Sequence, residues 1–130
     1  MSHAAGRILI VDDEPSLLKM MSVYLARLGF AVTTSDRTDE AWSEVAADPA
    51  SFAVTVLDAT MPGLGMEDLA LRMLHVNPKL CVLATSGYPV DMSALAAIAP
   101  GRVGFLHKPF TPESLAAGIR RMLGPQEENL

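Results

Sequence analysis

Four apolar, strand-like segments of this chain each end at residues whose side chains could take part in chemistry. These residues carry carboxylates, a hydroxyl or an ammonium group, and in chain order they are Asp12 and Asp13, Asp58, Ser86, and Lys108. Asp58 is the clearest case, because residues 53–57 form an apolar, β-rich run that is typical of a strand covered on both faces. A carboxylate at the end of a buried strand needs partners, since burying a charge alone is costly.

The residue types at these strand ends suit phosphoryl transfer to an aspartate. Carboxylates that lie close together raise one another's pKa values unless a cation neutralises them, and oxygen ligands suit Mg²⁺ or a similar hard ion such as Mn²⁺. A metal, a reactive carboxylate, a hydroxyl and an ammonium are what such a transfer requires. On this hypothesis Asp58 attacks the phosphorus, the metal and Lys108 hold the transferring oxygens, and Ser86 donates a hydrogen bond to the product.

Each of these features taken alone has a simpler structural interpretation. The acidic residues 12–14 could favour the dipole of a following helix, and Lys108 could be an ordinary surface lysine. Ser86-Gly87 could be a simple turn. The coincidence of compatible groups at four strand ends favours function over these interpretations.

The elements that must position these residues alternate between strand and helix. Apolar runs predict strands at residues 7–11, 30–35, 52–58, 80–85 and 103–106. Helical spacing and cap residues predict helices at 15–28, from Asp36 or Thr38 to 47, and at 67–75, 91–99 and 111–123. This alternation predicts a three-layer α/β fold, with a parallel sheet covered by helices on both faces. Ligands of such sheets bind beyond the carboxyl ends of the strands, and the three carboxylates converge there if the first and third strands are neighbours.

Length and composition exclude several other classes of protein. The chain has 130 residues, which predicts one globular domain at 7–124, a disordered extension at 1–6 and a frayed tail at 125–130, with no second domain to follow. A net charge of −5 without a basic cluster argues against nucleic-acid binding. No apolar run reaches the roughly 20 residues of a membrane span, and residues 1–7 lack signal-peptide character. Because Cys81 is the single cysteine, we expect a cytoplasmic protein.

The motifs at the strand ends, taken in order, resemble those of the receiver domain of bacterial two-component response regulators. The resemblance covers residues 7–123 and is carried by 8–15 (ILIVDDEP), 56–58 (VLD) with 61–63 (MPG), 86–88 (SGY) and 105–110 (FLHKPF). It implies a flavodoxin-like (βα)5 fold, a doubly wound parallel sheet with strand order 2-1-3-4-5.

The resemblance also implies a role for each residue of the acidic set. Asp58 would be the phosphoacceptor, and Asp13, Asp58 and the backbone carbonyl of Thr60 would ligate the metal, while Asp12 acts through water. Lys108 would pair with the phosphoryl group, and the Lys108-Pro109 peptide bond would be cis.

The resemblance also implies positions that take part in the conformational switch and positions that set the lifetime of the phosphorylated form. Ser86 would move toward the phosphoryl group and Phe105 would swing inward with it. Thr60 and Tyr88 occupy positions that tune dephosphorylation, and we expect Tyr88 to shield the phosphoryl group and lengthen its lifetime. Gly65-Met66 departs from the usual family pattern and predicts an altered turn.

Three functions are consistent with these residues. The first is a signalling module that takes a phosphoryl group from a histidine kinase or histidine phosphotransfer protein, catalysing its own phosphorylation and slow dephosphorylation. Its output would be an unidentified protein or fused domain, reached through the last two helices and fifth strand, which are also a candidate homodimer surface. Some of these sequence motifs resemble those of receiver domains fused to sensor kinases, so the chain could belong to a hybrid kinase.

The other two functions differ in chemistry. An aspartate-nucleophile phosphohydrolase has a similar α/β fold, but it places a second Asp two residues after the nucleophile, where this chain has Thr60. A receiver that acts by binding alone, without phosphorylation, is the third, and the intact acid pair, hydroxyl and lysine argue against it.

Overall fold

The computed structural model describes residues 6–124 as five strands and five α-helices in alternation, with one short 3₁₀ turn. The tail predicted for 125–130 lies outside the described residues, as does the extension predicted for 1–6 apart from Gly6. The strands are β1 (Arg7–Val11), β2 (Ala31–Ser35), β3 (Phe52–Asp58), β4 (Cys81–Ser86) and β5 (Val103–His107). The helices are α1 (Pro15–Arg27), α2 (Thr38–Ala47), α3 (Met66–Val76), α4 (Ser93–Ile98) and α5 (Pro112–Leu123), and the 3₁₀ turn is Pro49–Ser51.

All five strands form one parallel sheet in the order β2-β1-β3-β4-β5, which confirms the predicted fold. In this order β1 lies beside β3, with Val11 opposite Leu57. The chain reverses its direction of travel across the sheet between these two strands, and such a switch point is where ligands of open α/β sheets bind.

Two hydrophobic cores lie on opposite faces of the sheet. Alternate residues of β1 show the division, because Ile8 and Ile10 belong to the core under α1 and α5, whereas Leu9 and Val11 belong to the core under α2, α3 and α4. The central strands β1, β3 and β4 therefore bury both of their faces, which explains their nearly continuous apolar runs, whereas the edge strands β2 and β5 are only partly buried. Among residues 6–124, no helix is long and apolar enough to cross a bilayer.

The helix ends agree with the sequence except at α2 and α4. Thr111 caps α5 through the backbone N–H of Ser114, as its position before Pro112 predicts. Neither predicted cap holds at α2, because Arg37 is the N-cap residue, it makes no side-chain cap, and Thr38 is already helical. The first predicted turn of α4 is instead a loop.

The shorter α4 has a local cause in the side chain of Asp91. Its Oδ1 accepts hydrogen bonds from the backbone N–H and the hydroxyl of Ser93, at 3.0 and 2.6 Å, which holds residues 91–93 in a turn. The helix therefore begins at Ser93, two residues later than predicted, and buries Leu95.

Thr55 generates a prediction about stability, because its side-chain oxygen is buried without a hydrogen-bond partner among the described residues. It lies at the centre of β3, between Leu9 and Val82 of the neighbouring strands. An unsatisfied buried hydroxyl opposes folding, so we expect Thr55→Val to raise the free energy of unfolding by about 1 kcal/mol in urea titrations. The exposed Thr34→Val on β2 is the control, with a change below about 0.5 kcal/mol. A loss of stability in Thr55→Val would show that the hydroxyl has a partner.

Candidate acidic site at the carboxyl edge of the sheet

Three carboxylates meet beyond the ends of β1 and β3. Asp12 and Asp13 directly follow β1, Asp58 is the last residue of β3, and one oxygen from each lies within 4.8 Å of the others. Asp12 and Asp58 are buried, with 1% and 4% of their surfaces exposed, whereas Asp13 is exposed. The predicted convergence of these acids is therefore confirmed, and it follows from the adjacency of β1 and β3.

A single ammonium group joins the two buried carboxylates. Lys108 Nζ lies 3.1 Å from Asp12 Oδ2 and 3.3 Å from Asp58 Oδ2. The lysine follows β5, and its backbone N–H donates to the carbonyl of Ser86 at 2.8 Å. Its peptide bond to Pro109 is cis, as predicted. Lys108 thus reaches Asp58 across β4, and Asp12 across both β4 and β3.

The remaining oxygens of the buried acids are held by tight local turns. Asp12 Oδ1 accepts the backbone N–H of Glu14 at 2.9 Å. Asp58 Oδ1 accepts two bonds from Thr60, one from the backbone N–H at 3.0 Å and one from the hydroxyl at 2.9 Å. Each buried carboxylate therefore uses Oδ1 for its own loop and Oδ2 for Lys108.

Burial and charge act against each other in the protonation of this cluster. Burial raises the pKa of Asp12 above its ordinary value, and the hydrogen bonds from Glu14 and Lys108 offset only part of that rise. For Lys108, burial alone would lower the pKa, but the hydrogen bonds and negative charges of Asp12 and Asp58 outweigh it and raise the pKa. The site therefore keeps Lys108 protonated, whereas the ionisation of Asp12 is unfavourable.

The donor set fits a hard divalent cation. Asp12, Asp13 and Asp58 offer only oxygen atoms, and one ammonium leaves their combined charge negative. Mg²⁺ and Mn²⁺ prefer such oxygen ligands and keep part of their water shell, which the exposed side of Asp13 accommodates.

The hydroxyl and aromatic positions predicted for switching lie on β4, on β5 and in the loop after β4. Ser86 is buried, and its Oγ accepts the backbone N–H of Tyr88 at 3.0 Å. The side chain of Tyr88 is 72% exposed, so it covers little of the site in this arrangement. Phe105 is partly buried and meets His107 edge-on, with ring centroids 6.3 Å apart.

The loop after Asp58 contains a glycine with a demanding conformation, at Gly63. Its φ is +99°, a region that favours glycine, while Gly65 has a φ of −60° and is the N-cap residue of α3. The altered turn expected at Gly65-Met66 stays a prediction, and the constraint on this loop falls two residues earlier.

The sequence predicted no role for the segment from the end of β2 to the start of α2, yet two of its residues support the site. The buried Ser35 presents its carbonyl to the backbone N–H of Asp12 at 3.2 Å. Thr38 Oγ1 accepts the backbone N–H of Leu64 at 3.1 Å, in the loop that follows Asp58. Nothing in the spacing signals the second contact, since its partners are 26 residues apart.

A flavodoxin-like sheet with an acidic pocket at its carboxyl edge defines the class of receiver domains that carry a phosphoacceptor aspartate. The chain belongs to this family, because the model of the response regulator receiver domain matches residues 8–120. A crystal structure of a response regulator receiver domain protein from Clostridium thermocellum has a TM-score of 0.80 and 24% identity, covering 96% of this chain and 99% of that one. It shows the same fold.

Two relatives are similar to nearly the whole chain. The C4-dicarboxylate transport transcriptional regulatory protein DctD of Rhizobium meliloti is 30% identical over 118 residues, which are 91% of this chain and 25% of that protein. The transcriptional regulatory protein FixJ of Bradyrhizobium diazoefficiens is 32% identical over 123 residues, 94% of this chain and 58% of that protein. This chain therefore corresponds to only part of the length of each relative.

The raised pKa of Asp12 predicts that the Asp12→Asn substitution stabilises the metal-free protein. Above its folded-state pKa, ionised Asp12 opposes folding. Below the ordinary Asp pKa of 3.8, Asp12 is protonated in both the folded and the unfolded protein, so this effect disappears. In urea titrations we expect the variant to be more stable by about 1 kcal/mol near pH 7, with the difference vanishing as pH falls to about 3.5. A less stable Asp12→Asn at pH 7 would contradict the prediction.

Proposed function

We propose that this chain is a phosphorylation-switched signalling module in which Asp58 accepts a phosphoryl group from a histidine kinase or histidine phosphotransfer protein. The observation that carries the proposal is the placement of the Asp58 carboxylate, which contacts the ammonium of Lys108 and has an oxygen within 4.8 Å of oxygens of Asp12 and Asp13. A nucleophile, a fixed cation and a set of metal-binding oxygens thereby meet at the edge of the sheet where ligands bind.

The chain's own residues supply orientation and charge for the transfer. An oxygen of Asp58 forms the new bond to phosphorus while the bond from phosphorus to the donor nitrogen breaks, and the imidazole leaves with that electron pair. Lys108 would hold a phosphoryl oxygen, and Asp13, Asp58 and the Thr60 carbonyl would hold the cation directly, with Asp12 acting through water. A bound Mg²⁺ would offset the negative charge on the phosphoryl oxygens.

After transfer, Ser86 donates its hydroxyl hydrogen to a phosphoryl oxygen and Phe105 follows it inward. The supporting observation is that the Ser86 oxygen is bonded to the Tyr88 backbone N–H in this structure, so a turn toward Asp58 exchanges one hydrogen bond for another. Such a movement responds to the local charge of the phosphoryl group, and it can change the conformation of the surface around α4, β5 and α5. Tyr88 lies in the same loop, and its shielding of the phosphoryl group stays a prediction.

The donor's approach is proposed to follow an apolar groove beside Lys108. The groove has a volume of about 610 Å³, and Leu17 and Met20 of α1 line it together with Phe110. Because Lys108 also lines the groove and contacts Asp58, a donor seated there reaches the nucleophile. DctD and FixJ are named as transcriptional regulators, and an output domain or partner of this chain is proposed by analogy with them.

The phosphohydrolase alternative is not favoured by the geometry around Asp58. The residue two positions after the nucleophile is Thr60, and its hydroxyl donates to Asp58 Oδ1. A threonine hydroxyl does not protonate a leaving group at neutral pH as a carboxylic acid does. Autophosphorylation and slow dephosphorylation are therefore proposed as the only catalysis.

The identity of the phosphoacceptor is tested by Asp58→Asn. Wild-type protein incubated with Mg²⁺ and acetyl phosphate is expected to gain the mass of one phosphoryl group, and the variant is expected to gain none, because the amide is a poor nucleophile. Intact-protein mass spectrometry measures both. Asp68→Asn, an exposed acid in the first turn of α3, is the matched control and should be phosphorylated normally. A phosphoform that persists in Asp58→Asn would refute the assignment.

The hydroxyl of Thr60 predicts a change in the rate of phosphorylation. A metal or phosphodonor that takes Asp58 Oδ1 has to displace this hydroxyl, so Thr60→Val should be phosphorylated about threefold faster by acetyl phosphate at fixed Mg²⁺. Thr60→Ser keeps the hydroxyl and should behave as wild type. Equal initial rates in the valine and serine variants would show that the bond does not compete with the reaction.

A further inference from the structure

The loop between Asp58 and α3 carries the Thr60 carbonyl, and few contacts fix its path. At its start, the N–H of Ala59 donates to the carbonyl of Thr85 at 2.8 Å, and Thr60 bonds to Asp58. Met61 packs into the core under α2, α3 and α4. The far half of the loop then turns at Gly63 before α3 begins, and there the Leu64 side chain packs against the same core while its backbone contacts another element.

That contact is made by Thr38, the first residue of α2. Its side chain is 5% exposed, and Oγ1 accepts the N–H of Leu64 at 3.1 Å, while the hydroxyl makes no cap for its own helix. A Cβ built on Gly63 would lie 2.6 Å from the same oxygen, closer than real Cβ atoms approach a neighbour. The backbone of the loop therefore lies directly against the Thr38 hydroxyl.

The amino end of α2 is in turn tied to β1 through Ser35. The Ser35 hydroxyl donates to the Arg37 carbonyl at 2.9 Å and lies 3.1 Å from Glu40 Oε1, which orders the turn that leads to Thr38. The Ser35 carbonyl accepts the N–H of Asp12 at 3.2 Å. One short segment thus contacts both the strand end that bears Asp12 and the loop that follows Asp58.

We infer that Thr38 is a positioning residue for the cation and phosphoryl site. It sets the distance between the loop that carries the Thr60 carbonyl and the acid pair at the end of β1, and it does so without touching the reacting atoms. This inference rests on the proposed function, since it assumes that the acids and the loop together hold Mg²⁺.

A purely structural role for Thr38 would have a different consequence. A hydroxyl that merely satisfies a loop amide contributes to folding stability and leaves the affinity for Mg²⁺ unchanged. A hydroxyl that positions the loop changes the Mg²⁺ affinity in the folded protein. The affinity for the metal therefore separates the two roles, and it is measured without any phosphodonor.

The test compares Thr38→Val with Thr38→Ser by isothermal titration calorimetry of Mg²⁺. Valine keeps the shape and removes the acceptor, so we expect the dissociation constant to rise about fivefold, the effect of one ordinary hydrogen bond, and the Leu64 amide to exchange faster with solvent. Serine restores the acceptor and should keep the dissociation constant within about twofold of wild type. Ser43→Ala, which removes an exposed hydroxyl from the same helix, should change neither quantity.

Gly63→Ala tests the same contact from the other side and serves if Thr38→Val does not fold. Its added Cβ collides with Thr38 Oγ1, so the loop has to move and the Mg²⁺ affinity is expected to fall. Unchanged affinity in Thr38→Val or in Gly63→Ala would overturn the inference while leaving the proposed function intact. Wild-type protein that binds no Mg²⁺ would overturn both.

Discussion

The close approach of three carboxylates, balanced by one ammonium, is the constraint on which the rest of this structure depends. Asp12 and Asp58 are buried, and Lys108 contacts both within 3.3 Å, while Asp13 completes the cluster from the solvent side. Like charges at this distance are unfavourable unless a cation is near. The strand order β2-β1-β3-β4-β5 satisfies this requirement, because it sets the two acid-bearing strands side by side and returns the lysine from β5 toward them.

The balance of charge in the cluster is incomplete, and this incompleteness supports the proposed binding of a cation. Burial raises the pKa of Asp12, which shows that the folded protein bears a cost for holding this acid ionised. A bound divalent ion would relieve the cost, so folding and metal binding would be coupled through the same carboxylates. The turns at Glu14 and Thr60 direct Oδ1 of each buried acid, and this leaves the Oδ2 atoms to share the lysine.

The rigid parts of the structure and the weakly packed parts lie in different regions. The carboxyl edge of the sheet is fixed by hydrogen bonds of buried residues, including Ser35 at the end of β2 and Thr38 at the start of α2. By contrast, α4 has six residues and buries Leu95, so it has little apolar packing to resist movement. The signal proposed to begin at Asp58 and pass through Ser86 would therefore reach an element that can respond at low cost in free energy.

Local sequence patterns were sufficient to predict the alternating strands and helices and the acids, hydroxyl and lysine at the strand ends. Those features depend on residue periodicity, prolines and glycines, which act within a few positions of the chain. The strand order came from the family resemblance, because periodicity carries no information about which strands are neighbours. Patterns also misplaced the cap of α2, where no side chain caps the helix, and the start of α4, where the side chain of Asp91 decides the boundary. Only the tertiary structure placed Thr38 against Leu64, because that contact joins residues 26 positions apart and exists only once β2 and β3 have paired on either side of β1.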